Sequence, residues 1–379
     1  MLLTRQDLEK REREVLAPYA TFSDSIEREH PDPSTSSGQV IKDKFRTAFQ
    51  RDHARIIHSK AFRRLKGKTQ VFVAHHGDHF RNRLSHSLEV AQIAKNLARN
   101  LGVNEDLTTA IALAHDLGHT PFGHTGEEKL NELLQPFGER FEHNRQSRRI
   151  LTTLEKKYAK FDGLNLTLDL LDGLAKHSTP YDAPEEEDGR QPSLEAQIVN
   201  LADEIAYTNH DLDDGLRAGI FRKQDLKGLQ LWEAATEKVD PKLPAEAFNH
   251  RAVSALIDLL TCDLLTTTEG NLNKNKINSL KEVQNLPKPL VEFSENISAK
   301  LDELRKFLRE EFYLAPSVAQ LSQKGTATIT KIFEALLKEP ELLPTDFQKI
   351  QPTHTAIADF VAGMTDNYAN EFCAKITRN

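Results

Sequence analysis

The sequence predicts an all-α protein with at most minor strand content. Apolar residues recur at helical spacing along most of the chain, and capping residues, glycines and prolines punctuate those runs. Only Gln70-Val-Phe-Val73 reads as a short strand or extended turn. At 379 residues, 38% hydrophobic and 28% charged, the chain can bury a sizeable core as one large or two smaller domains.

Taken in order, residues 5–17 read as a charged helix, and His30-Pro-Asp-Pro-Ser-Thr-Ser-Ser-Gly38 as a mobile loop. A helix is expected from about Asp43 to Leu65. His75, His76 and His79 fall in a surface turn. Leu84, Leu88, Ala91, Ala94, Leu97 and Leu101 then mark a helix that Gly102 stops, and Asp106–Leu117 repeats the pattern with Gly118 as its stop. Ser147–Tyr158 and Leu166–Lys176 are further helices, and residues 180–192 form an acidic, proline-rich surface loop. Ser193 is a good N-cap for a helix carrying Ile198, Leu201, Ala202, Ile205 and Leu212. Beyond Lys223, amphipathic helices alternate with short loops; Val253–Leu265 is the most apolar, and Pro340–Pro344 marks a break before the last helices. No internal repeat is apparent. These patterns suggest an N-terminal helix and loop over 1–45, a core over 46–220 and a C-terminal helical region over 221–379.

Composition narrows the classes. Two cysteines, Cys262 and Cys373, exclude a disulfide scaffold and a Cys-rich zinc site. The charged opening decapeptide has no signal-peptide stretch, and no apolar run approaches the roughly 20 residues that span a bilayer. A cytoplasmic protein without membrane partners is expected. A net charge of −7 argues against a general nucleic-acid-coating role, and single-stranded DNA binding is not indicated by charge. Yet Arg51–Arg83 holds nine Lys/Arg against Asp52 and Asp78. Charge alone favours a solvated basic face. The same part of the chain is also rich in histidine, however, with ten of the 15 lying between His53 and His143, and that overlap points to metal plus phosphate.

The chemistry concentrates in Ala-Leu-Ala-His115-Asp116-Leu-Gly-His119-Thr-Pro-Phe-Gly-His124. A lone histidine on an apolar helix is usually a satisfied core residue. Here His86 enters one helix, His115-Asp116 closes the next, and the short turn between them brings those ends together if the helices run antiparallel. With Asp203 on a third apolar helix, the set offers two imidazoles and two carboxylates. An octahedral ion so held keeps two positions open for water and phosphate, the mark of a catalytic metal. Mg²⁺ or Mn²⁺ is the first expectation, with Fe²⁺, Co²⁺, Ni²⁺ or Zn²⁺ also compatible.

His86…His115-Asp116…Asp203 resembles the metal-binding signature of the HD phosphohydrolases. The stretches Asp52–Phe72, His115–His124, Ala202–Asp211 and Ala362-Gly-Met-Thr-Asp-Asn-Tyr-Ala369 resemble, in order, blocks of the deoxyguanosinetriphosphate triphosphohydrolase-like family. The resemblance implies an HD-domain helical fold with additional N- and C-terminal helices, the metal-dependent core lying over 46–220. It implies hydrolysis of dGTP, or of dNTPs broadly, to deoxynucleoside and triphosphate. It makes His86, His115, Asp116 and Asp203 metal ligands, and His124 and Glu127 a His–acid pair in which Glu127 orients His124 and raises its basicity. His143 becomes a further active-site histidine, Gln70 a 3′-hydroxyl contact and Arg83 a phosphate-binding arginine. Tyr207 and Asp211 become sugar contacts, and the i, i+4, i+8 spacing of 203, 207 and 211 independently puts them on one helix face. Arg55 and Arg64 are structural or phosphate-facing; the Lys/Arg cluster that includes Arg63, Lys66 and Lys68 either holds the β- and γ-phosphates or is general surface charge; and His119 is expected to orient a metal ligand. By the same resemblance the protein is a homo-oligomer that a second dNTP can activate. Two other readings stay open: an HD hydrolase acting on nucleoside monophosphates or signalling nucleotides, and a non-catalytic nucleotide-sensing or nucleic-acid-binding protein.

Overall fold

Side-chain caps set most helix starts. Asp7 and Thr4 form a capping box ahead of Arg5–Val15. Ser193 accepts from the Ala196 amide at the head of Leu194–Ala218, as its position predicts. The computed structural model describes residues 2–31, 43–70, 81–177 and 189–377. Among them the regular structure is helical, with three isolated β-bridges and no sheet, so the all-α expectation holds. The stretch Val71–Val73, the His75/His76/His79 turn, and most of the loops expected over 30–38 and 180–192 lie outside the described residues. No helix of the described residues is long and apolar enough to cross a membrane.

Three expected boundaries move. The single helix over 43–65 is instead Ala48–Ile57 followed by Lys60–Arg64. Thr47 and Gln50 exchange capping bonds of 3.4 and 3.2 Å at the first start, and Ser59 accepts from Phe62 N at 3.0 Å at the second. The helix Glu105–Ala114 tightens into a 3₁₀ turn over His115–Gly118. The helix placed at 147–158 begins earlier, at His143, because Glu142 caps the Asn144 and Arg145 amides; it then widens into a π-turn over Ile150–Leu154.

Packing groups the chain into two units, each assembled from three separate stretches. The first comprises Met1–Arg55, Leu88–Leu113 and Asn165–Ala315. Its central helix, Leu194–Ala218, is buried for most of its length and packs on Ala245–Asn275. Buried polar ties fasten its outer segments. Asp52 accepts from Arg28 Nη1 at 2.7 Å and from Thr167 N at 2.8 Å, and Glu195 accepts from Thr21 N at 2.8 Å and Asn104 N at 3.1 Å. Arg55, buried beside Asp52 and donating to the Asn165 carbonyl, is therefore a structural residue.

The second unit comprises Ile56–Ser87, Ala114–Leu164 and Pro316–Asn379. Its core joins Leu130 and Leu134 to Ile329, Ile332, Phe333 and Leu336 of Pro316–Lys338, and to Ile357, Phe360 and Val361 of Thr353–Ala362. Lys68 belongs to this unit and is not surface charge. It is 2% exposed, and its Nζ donates to the carbonyls of His119 and Ala362. Burial, reinforced by the positive charges of Arg83 and Arg64, lowers its pKa to about 7. The unfolded chain thus binds a proton that the folded one lacks between about pH 7 and 10.5, so this group's contribution to stability is full above 10.5 and lost as pH falls to about 7. Denaturant titrations should show the stability difference between wild type and Lys68→Met changing in favour of wild type as pH rises through that window. A difference independent of pH would show that Lys68 stays charged throughout.

Candidate active site

The second unit contains nine of the expected site residues: Arg64, Gln70, Arg83, His86, His115, Asp116, His124, Glu127 and His143. Arg83 and His86 lie in the first turn of Arg83–Leu101, and the 3₁₀ turn carries His115 and Asp116. The rings of His86 and His115 are 5.7 Å apart at their centroids, and their facing ligand nitrogens lie within 4.8 Å of each other. The helix ends therefore meet as the connectivity predicted. Asp116 Oδ2 lies 3.0 Å from Arg83 Nη1 and 3.8 Å from His86 Nε2, while Oδ1 lies 3.0 Å from His119 Nε2. Burial alone would raise the pKa of Asp116. The positive neighbours His115, Arg83 and His119 outweigh it and hold the carboxylate well below its ordinary value, ready to bind a cation at neutral pH.

The 3₁₀ turn is fixed from behind. Ser147 Oγ donates to the His115 carbonyl at 2.7 Å and accepts from Gly118 N at 2.8 Å. Gly118 has no positive φ and does not act as a left-handed helix stop; its role is close approach. A Cβ there would lie 2.1 Å from the His143 carbonyl oxygen and 2.3 Å from Ser147 N. Gly118→Ala should therefore push the turn off His143–Arg149 and destabilise the fold by about 1–3 kcal/mol or more, as overpacking does. Thermal unfolding checks this, and an unchanged Tm with unchanged metal affinity would refute it.

Glu127, on Gly123–Leu134, was expected to partner His124. Its close contacts go elsewhere. Oε1 accepts from His143 N at 2.8 Å and lies 3.0 Å from His143 Nδ1, and Oε2 lies 3.3 Å from His119 Nδ1. His124 is farther out, within 4.8 Å of the carboxylate, and the His119 ring stacks on His143 at 3.8 Å. Glu127 raises the pKa of His124, as expected, but the rest of the surroundings outweigh it. Protein crowds the ring and, with the charges of His119 and Arg83, lowers its pKa; Glu127 opposes this without cancelling it. His124 itself is exposed to water. Burial raises Glu127 itself, but His143 and His119 outweigh it and keep the carboxylate ionised. His119, as expected, orients Asp116.

Two orphaned groups point to a ligand. Arg83 is 1% exposed, and its Nε and Nη2 have no hydrogen-bond partner among the described residues; neither does the buried Gln70 Oε1. Buried donors and acceptors left unmet cost stability unless something else meets them. An anion at Arg83, beside two imidazoles and a carboxylate able to hold a divalent cation, fits that need. Arg64 is exposed beside Gly363 and takes no part in these contacts.

In the first unit, Asp203, Tyr207 and Asp211 are all buried along one face of Leu194–Ala218, as their spacing predicted. His177 Nε2 lies 3.8 Å from Asp203 Oδ2, and the Tyr313 hydroxyl donates to Asp211 Oδ2. Neither partner was expected. Nothing around Tyr313 in Glu-Phe-Tyr-Leu distinguishes it from core, and the His177 contact depends on folding.

A helical fold with a buried His-His-Asp cluster next to an anion-ready arginine defines a phosphohydrolase of the HD class. The HD domain family model matches residues 83–208, which run from Arg83 past Asp203, and a phosphohydrolase-associated domain matches 291–375. The chain is 46% identical to a deoxyguanosinetriphosphate triphosphohydrolase-like protein of Geobacter sulfurreducens, over 97% of this chain and 96% of the relative. Proteins of the same description from Geobacter metallireducens (45% identity, 94% of each chain) and Ralstonia nicotianae (44%, covering 93% and 92%) match similarly. The chain belongs to the deoxyguanosinetriphosphate triphosphohydrolase-like family of HD phosphohydrolases.

Proposed function

We propose that this protein hydrolyses deoxynucleoside triphosphates at the α-phosphorus, releasing deoxynucleoside and inorganic triphosphate. The observation that carries the reading is Arg83, buried against Asp116 with two N–H groups that no described residue meets. His86, His115 and Asp116 would hold a divalent metal, Mg²⁺ or Mn²⁺ first, with Asp203 as the fourth ligand that the family signature supplies. When bound there, such an ion supplies Lewis acidity, neutralising phosphoryl charge and making water easier to deprotonate.

The remaining roles belong to the chain's own side chains. Arg83 holds a phosphate oxygen through Nε and Nη2 and so aligns the phosphorus. Water attacks the α-phosphorus, the bond to the 5′-oxygen breaks, and that oxygen takes up a proton to leave as the 5′-hydroxyl. His124, neutral at neutral pH, accepts the proton of the attacking water. His143, whose Nδ1 lies 3.0 Å from Glu127, protonates the departing oxygen. Gln70, Tyr207 and Asp211 read the sugar, with Gln70 Oε1 accepting from the 3′-hydroxyl. Within the basic stretch, exposed Arg64 and Lys66 remain to meet the β- and γ-phosphates. The enzyme would work on the cytoplasmic nucleotide pool as a homo-oligomer that a second dNTP activates.

A substrate panel tests this. Purified protein with Mg²⁺, Mn²⁺ or Co²⁺ should consume one or more of the four dNTPs, alone or with a second dNTP, and leave rNTPs, dNMPs and guanosine tetraphosphate largely intact. Preferential turnover of a monophosphate or of the tetraphosphate would reject the proposal in favour of another HD hydrolase chemistry. Binding without turnover would reject it in favour of a sensor.

A further inference from the structure

The second unit contains one carboxylate that ties two functional segments together. Asp366 opens the helix Asp366–Ile376 and is 4% exposed. Its Oδ2 accepts from Thr69 N at 3.0 Å and from the Thr69 hydroxyl, and its Oδ1 accepts from Phe122 N at 3.0 Å. Thr69 precedes Gln70, and Phe122 stands two residues before His124. Both segments need an external hold. Phe122 has φ 65°, a left-handed conformation that a non-glycine side chain adopts at a cost, and Gly123 follows with φ 65°. A Cβ on Gly123 would lie 3.2 Å from the Gln70 carbonyl oxygen, so the two segments run against each other.

The surroundings repeat the connection. Lys68 joins the carbonyls of His119 and Ala362, and Gly67 packs so closely on Thr365 that a Cβ would lie 2.8 Å from its methyl carbon. Phe122 rests on Gly325 of Pro316–Lys338, where a Cβ would lie 2.7 Å from the Phe122 side chain. Beyond Asn82, which bridges Thr69, the Lys68 carbonyl accepts from Arg83 N at 3.1 Å. One buried strip, anchored by the C-terminal segment, thus leads to Gln70, Arg83 and His124.

We propose that Asp366 is a positioning residue for the hydrolytic reaction: a single carboxylate from the phosphohydrolase-associated segment that sets the sugar-reading Gln70 segment and the turn leading to His124 in register with each other. The roles of Gln70 and His124 rest on the function proposed above; the tether itself does not. A carboxylate suits this post because both oxygens only accept, so three donors from two segments converge without conflict. An asparagine would keep one acceptor and turn its amide toward an N–H.

The test compares Asp366→Asn, Thr69→Val and Glu139→Ala in the full chain. Glu139 joins the same C-terminal region through Thr355 and His354 but touches neither functional segment, so it controls for loss of stability. Two readouts are taken: dNTP hydrolysis resolved into kcat and KM, and hydrogen exchange at the Thr69 and Phe122 amides. Asp366→Asn should speed exchange at both amides, raise KM and lower kcat, with kcat/KM down roughly 100-fold, the loss that a misplacement of about 1 Å brings. Thr69→Val keeps its amide bond and loses only the hydroxyl, and should raise KM with kcat unchanged. Glu139→Ala should lower Tm and leave both kinetic constants alone.

Exchange at the two amides no faster in Asp366→Asn than in Glu139→Ala would overturn the tether, as would kinetic constants within about twofold of wild type. If Asp366→Asn does not fold, an unchanged KM in Thr69→Val overturns the proposal. Failure of the functional reading is a separate result: an inactive wild type, in which exchange at Thr69 and Phe122 still reports whether Asp366 holds them.

Discussion

Asp116→Asn is expected to abolish metal-dependent turnover and to lower divalent-cation affinity while leaving the helical content intact. Asp116 lies among four basic side chains: Arg83 at 3.0 Å, His119 at 3.0 Å, His115 at 3.4 Å and His86 at 3.8 Å. Losing a side chain that merely supports a metal ligand typically costs 10- to 100-fold. Loss of the carboxylate that would itself be the ligand should exceed that. The variant also leaves Arg83, which has two N–H groups unmet among the described residues, with an amide in place of its counter-charge. Titration calorimetry with Mn²⁺ beside the turnover assay checks the point. Wild-type affinity in Asp116→Asn would remove this residue from the metal site.

His124→Ala should lower kcat by about 10²- to 10⁴-fold, the usual worth of a positioned acid–base group, with little change in KM or metal affinity. The pH profile supplies a second check with a definite sign. A base must be unprotonated, and the surroundings of His124 lower its pKa from the ordinary 6.5. Activity of the wild type should therefore persist as pH falls through 6.5 and decline only at lower pH. Glu127→Gln should perturb His143 more than His124, since the carboxylate bonds both the backbone and the ring of His143. If His124→Ala retained wild-type kcat, or if the acid limb lay above 6.5, the proton would be handled elsewhere.

Much of the site was legible before folding because helical periodicity and connectivity are local. His86 at a helix start, His115-Asp116 at the next helix end and a short turn between them were enough to predict that they meet. Asp203, Tyr207 and Asp211 needed only the pitch of one helix to share a face. What stayed hidden depends on partners distant in sequence. The burial of Lys68 could not be read from the basic cluster, because composition counts a lysine without its surroundings and its acceptors belong to residues 119 and 362. Glu127 was paired with His124, three residues away on the same helix. His143, brought in by the loop before the next helix, bonds the same carboxylate. Gly118 looked like a helix stop, but what requires glycine there is the backbone of 143–147 pressed against it.

Which bond is cut distinguishes a triphosphohydrolase from other nucleotide hydrolases, and product analysis reads this directly. Incubating dGTP with the protein and Mn²⁺ and following the reaction by ³¹P NMR should show the three substrate signals replaced by those of inorganic triphosphate, with one equivalent of deoxyguanosine by chromatography. Pyrophosphate with dGMP, or orthophosphate with dGDP, would contradict attack at the α-phosphorus with loss of the 5′-oxygen.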